Sequence, residues 1–76
     1  MSEAEIGRRV SVEGFACSGV LRFFGQDHIT GRARCGVELD EPLGHHSGTV
    51  DGHRYFDCEE QCGVLCSPSA VTVLDQ

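Results

Sequence analysis

Apolar and polar residues alternate in short runs along this chain, and no stretch of about 11 residues or more carries an apolar stripe at helical spacing. The pattern therefore predicts strands. Val10-Ser11-Val12 sets two β-branched residues on one face of a first strand, with Glu13-Gly14 beginning the turn that leaves it and Phe15 to Ser18 forming a loop. Gly19 to Gly25 reads as a second strand in which Leu21 and Phe23 share one face while Val20, Arg22 and Phe24 share the other. Apolar side chains on both faces predict a central position for it. Gln26 to Ala33 reads as a long polar loop, and Cys35 to Asp40 as a strand with one wet and one buried face, which Pro42 ends. Thr49-Val50, the turn dipeptide Asp51-Gly52 and a return strand at Tyr55-Phe56 predict a hairpin. Glu59-Glu60-Gln61 and Ser67-Pro68-Ser69 read as turns around strands at Gly63 to Cys66 and Val71 to Val73. An all-β fold follows.

Between the third strand and the hairpin lies the segment Gly44-His45-His46-Ser47-Gly48. Two glycines that can take backbone angles other residues avoid hold a short polar tip between them. Such a loop is expected to present its side chains and backbone N–H groups to a ligand.

Length and charge narrow the picture. With 76 residues the chain is one domain, near the size at which a single core suffices. Twelve acids against six arginines, with no lysine, give a formal charge of −6. That field repels nucleic-acid backbones and acidic peptides alike, although Arg32, Arg34, Arg54 and two histidines are available to build a local basic pocket. Five cysteines, an odd number without disulfide-scaffold spacing, read as reduced thiols. Met1 to Glu5 offer nothing to bury and read as a disordered lead-in without a signal sequence, and no run is long enough to span a membrane. A soluble, intracellular protein is expected.

Catalysis and metal binding find little support. Cys58, Cys62 and Cys66 are spaced as ligands on one face of a helix, yet the residues between Cys62 and Cys66 read as strand, which favours buried thiols over structural zinc. Histidine and cysteine supply the residue types of a nucleophile and base but no activating pattern. Arg8-Arg9 is the only basic pair, and no aromatic-rich basic strand for nucleic acid appears. A cage for methylated side chains needs several free rings, whereas the core claims most of the five aromatic residues here.

The run Gly36-Val37-Glu38-Leu39-Asp40-Glu41-Pro42, the glycine-framed loop, and Gly52-His53-Arg54-Tyr55-Phe56-Asp57-Cys58 together resemble a CAP-Gly domain, the glycine-rich module of cytoskeleton-associated proteins. The resemblance extends through Ile6-Gly7-Arg8-Arg9-Val10, Gly19 to Gly25 and Gly63-Val64-Leu65, so that residues 6–74 form the domain. It implies a small SH3-like antiparallel barrel with long loops. It further implies a non-catalytic module without cofactors, cytoplasmic and cytoskeleton-associated. Its partners would be acidic, aromatic-ended C-terminal peptides such as the tails of α-tubulin or of microtubule plus-end proteins. The implied peptide site comprises Gly44, His45, His46, Ser47, Gly48 and Phe56, with Phe56 facing a groove, and Arg34 and Arg54 as flanking cations.

The family loop reads Gly-Lys-Asn-Asp-Gly, so His45, His46 and Ser47 stand in place of its three functional side chains. Arg34 and Ile29 stand where the family has a tryptophan and another aromatic residue. If His45 or His46 supplies the missing charge, binding of an acidic tail strengthens as the pH falls from about 7.5 to about 6. The alternative expectation is a scaffold domain that has lost tail recognition and docks on another protein surface.

Overall fold

The computed structural model describes residues 3–74. Seven strands form in chain order: β1 (Arg9–Val12), β2 (Ser18–Gln26), β3 (Ala33–Leu39), β4 (Thr49–Val50), β5 (His53–Arg54), β6 (Gly63–Cys66) and β7 (Val71–Val73). Five of them make one antiparallel sheet in the order β6-β3-β2-β1-β7, and β4 and β5 make a separate hairpin. A 3-10 turn at Pro68–Ala70 joins the two ends of the ladder. Glu3–Glu5, within the expected lead-in, form a 3-10 turn. Met1 and Ser2 lie outside the described residues.

The sheet encloses one core, in which Val10, Val12, Leu21, Cys35, Val37, Leu39, Val64 and Val71 are buried, with Phe24 and Phe15 packed at its margin. Each wholly buried aliphatic side chain such as Leu21 contributes about 1.5–3 kcal/mol, which matters in a domain this small. As the alternation predicts, Val10 and Val12 enter the core from β1 while Ser11 does not.

In β2 the alternation breaks. Pairing with β3 runs from Leu21↔Val37 to Phe23↔Gly36, leaving Arg22 as an extra residue. That bulge shifts the side-chain phase by one. Phe24, paired with Cys35, therefore joins Leu21 at the core, and Phe23 turns to the opposite face, where its ring meets Tyr55 edge-on at 5.0 Å. The expectation that Leu21 and Phe23 share a face is thus corrected. Arg22 remains outside, bonded through Nε to Glu38 at 2.8 Å.

The loop expected from Gln26 to Ala33 is shorter, because β2 and β3 reach Gln26 and Ala33 and only residues 27–32 turn. Asp27 organises this turn from the inside. Its buried carboxylate accepts the amides of Ile29 at 2.9 Å, Thr30 and Gly31 at 3.2 Å, the Thr30 hydroxyl at 2.8 Å and Nε of Arg34 at 3.1 Å. The Thr30 amide above all, helped by its hydroxyl, Arg34 and the Ile29 amide, holds Asp27 far below the usual carboxylate range against the opposing effect of burial.

The hairpin forms as the Asp51-Gly52 signal predicts, with both residues at positive φ, 50° and 80°. Its return strand is His53–Arg54 rather than Tyr55-Phe56. The chain leaves the hairpin at once, because the Tyr55 amide donates to the Gly48 carbonyl at 2.8 Å.

Candidate functional site

The glycine-framed loop is held against β6. The amides of His45 and His46 both donate to the Gly63 carbonyl, at 2.9 and 3.3 Å, while the Gly63 amide donates to the His46 carbonyl at 2.7 Å. The Gly44 amide reaches the Gln61 carbonyl at 2.7 Å. This approach needs glycine at 63, since a Cβ there would stand 2.8 Å from both Nδ1 and the carbonyl oxygen of His46. Gly48 is fixed by two constraints, a φ of 101° and a Cβ position that would run into the Phe56 carbonyl.

The Gly48 amide donates to Nδ1 of His46 at 3.0 Å. The amides of Gly44, His45, His46 and Gly48 are therefore all spent within the domain, which corrects the expectation that the loop offers them to a ligand. The same bond fixes the imidazole tautomer: Nδ1 accepts, so the ring proton sits on Nε2. That atom is buried and has no hydrogen-bond partner. Burial, and secondarily the neighbouring His45, push the His46 pKa below its ordinary value. A second proton would have to enter at Nδ1, facing an N–H. His46 is accordingly a structural bracket, and the expectation that it supplies a cation to the peptide is corrected.

His45 does project, its ring leaning on Phe15 with centroids 5.8 Å apart. Ser47 is half-buried, and its carbonyl accepts the Cys58 amide at 3.2 Å. Phe56 does not line an open groove: the residue is 9% exposed, and its ring fills the space over Gly36, where any Cβ would collide with it. Arg34 is occupied by Asp27, whereas Arg54 is exposed on β5.

What sequence reasoning missed is a ring cluster on the face to which the bulge turns Phe23. Tyr55, not Phe56, is the outward member of the pair. Its hydroxyl accepts the His28 amide at 2.9 Å and makes a short hydrogen bond to Nδ1 of His28. The His28 and His53 rings stack at 4.6 Å with 20° between their planes, and His53 also lies 4.6 Å from Tyr55. His28 comes from the 27–32 turn and His53 from β5, so no local spacing announces the contact.

Charge follows the same geography. Arg8, Arg9, Arg22 and Arg34 pair with Glu5, Asp40, Glu38 and Asp27. Among the described residues Arg32 and Arg54 are in no ion pair, and they lie on the same two elements as His28 and His53. A cavity of about 280 Å³ elsewhere is lined by Val20, Leu39, Cys62 and the carboxylates of Glu38, Asp40 and Glu59. Its acidic lining is the wrong environment for an acidic peptide.

Among the described residues no three histidine, cysteine or acidic side chains converge to hold a metal ion. The five cysteines are unpaired thiols. Burial pushes Cys66 up to about 11, and burial with Glu38 next to it does the same for Cys58, also to about 11.

Comparison with known proteins supplies the family. The model described as "CAP-Gly domain" matches residues 6–71. The "Restin homolog" of Drosophila melanogaster is 43% identical over 70 residues, 90% of this chain but only 4% of that protein. The solved CAP-Gly domain in human Kinesin-like protein KIF13B superposes with a TM-score of 0.85 at 34% identity, covering 93% of this chain and 70% of that one. The Bik1 CAP-Gly domain, solved with an ETF peptide from Bim1, shares the fold with a TM-score of 0.80 at 23% identity, covering 90% of this chain and 82% of that one.

Proposed function

The chain belongs to the CAP-Gly family, a family of non-catalytic interaction modules, and from that premise we propose that it captures acidic C-terminal peptides ending in an aromatic residue. The observation that carries this reading is the match over residues 6–71, a range that includes the loop from Gly44 to Gly48. Support comes from the Bik1 domain, whose peptide has an acidic residue and ends in an aromatic one. Tails of α-tubulin or of microtubule plus-end proteins fit this class, and a cytoplasmic, cytoskeleton-associated setting goes with them.

The proposed site keeps the loop from Gly44 to Gly48, where His45 is the projecting side chain, together with Phe56 as the floor beneath and Arg34 and Arg54 as flanking cations. Within it Arg34 acts by holding Asp27, and Arg54 by its free charge. The experiment is a calorimetric titration of a peptide ending Glu-Glu-Tyr, as the free acid and as the amide. Capture of a chain end requires the terminal carboxylate, so the free acid should bind and the amide should bind at least about tenfold more weakly.

A specific observation favours a second reading. Four loop amides are consumed internally and Arg34 is tied to Asp27, as in a scaffold domain that docks on another protein surface without recognising a tail. Equal affinity for acid and amide, or no binding of either, selects that reading.

A further inference from the structure

We propose that His28 and His53, braced on Tyr55, form a carboxylate-recognition surface that takes acidic side chains of the bound peptide and gains protonation as it does so. This rests on the peptide-capture reading above and names the groups that replace the missing lysine charge. The position of that charge is the open question, since His46 is bracketed to Gly48 and four arginines are already paired.

The argument turns on which histidine accepts a proton without losing its anchor. The Tyr55 oxygen accepts the His28 amide and bonds Nδ1 of His28. In the neutral tautomer with the ring proton on Nε2, the Tyr55 hydroxyl proton points at Nδ1 of His28. When the ring takes a proton from solvent, Nδ1 becomes the donor, the Tyr55 oxygen accepts two hydrogen bonds, and its own proton rotates outward. The contact survives in both states. At His46 the partner of Nδ1 is a backbone amide, which has no acceptor role to switch to.

The stack sets the stoichiometry. A protonated His28 ring lies 4.6 Å from the face of His53 and 5.5 Å from Tyr55, where a cation over an aromatic face is favoured. Two charged rings at that separation repel, so a single proton is shared by the pair. The charged groups around them are Asp27 and Arg34, which neutralise each other at 3.1 Å, the exposed Arg32 on the same turn, and Asp51 and Arg54 on the hairpin. An acidic peptide laid across both elements meets Arg32, Arg54 and the charge carried by the stacked histidine pair.

Calorimetric titration of the free-acid Glu-Glu-Tyr peptide at about pH 6 and about pH 8, in buffers of differing ionisation heat, tests this. Wild type should bind about tenfold tighter at the lower pH, which across about two pH units corresponds to a mean uptake of about half a proton. His28→Gln and His53→Gln should each diminish the uptake, and the double variant should abolish it. Thermal melts establish that the variants are folded, and ring NMR of the wild type gives an independent reading, with the His28 and His53 ring signals perturbed on peptide addition. Uptake that persists in the double variant overturns this assignment while leaving peptide capture intact. Absence of binding at either pH overturns both.

Discussion

Nδ1 of His46 accepts the amide of Gly48 at 3.0 Å, so the imidazole closes the tip of its own loop. An asparagine carbonyl two residues before an amide makes the same closure, and asparagine is what the family loop carries at this position.

His46→Asn should therefore fold normally and lose a pH dependence. In the folded state burial depresses the His46 pKa below that of the unfolded chain. Below about pH 6.5 the unfolded chain takes up a proton that the folded one refuses, so stability is full above that pH and falls as acid is added. Melting temperatures between about pH 8 and about pH 5.5 should drop less in His46→Asn than in wild type. Parallel curves for the two proteins would place the sensitivity elsewhere.

The Asp27 turn makes a prediction at lower pH. Its folded-state pKa is depressed, so its contribution is present above the unfolded value of about 3.9 and is lost as pH falls further. Asp27→Asn loses the charge that Arg34 and the Thr30 amide engage, and should lower the melting temperature at neutral pH by on the order of 5 °C. That difference should shrink on acidification below about pH 4. A neutral-pH melt equal to wild type would mean the turn holds without its carboxylate.

Thiol labelling tests the burial of the cysteines. Cys58 and Cys66 titrate near 11, and burial also raises Cys35 and Cys62. At about pH 7.5 little thiolate is present at these four, and mass spectrometry should find them slow to alkylate until denaturant is added. Rapid labelling of Cys58 or Cys66 in the folded domain would contradict the described packing.

Much of this fold is legible in the residues. Val10 and Val12 declare a one-faced strand, and Asp51-Gly52 declares a hairpin. What is hidden depends on counting across strands. Nothing in Leu21-Arg22-Phe23-Phe24 marks Arg22 as the extra residue, because only pairing with Val37 and Gly36 makes it so. The site suffers more from the same cause. Tyr55 and Phe56 are adjacent rings, and which one turns outward is settled by the Gly48 carbonyl taking the Tyr55 amide and by the space over Gly36 that Phe56 fills. The stacking of His28 on His53 joins positions 25 residues apart in sequence and has no local signature.

Covering Gly63 with His46 also governs how the molecule behaves in company. A substitution or ligand that lifts this strap exposes the amide and carbonyl of a strand at the boundary of its sheet, and a second copy can add its own backbone there. Aggregation resistance and loop mobility are thus set against each other by the same few hydrogen bonds, so a variant opened for easier capture moves by that change toward self-association.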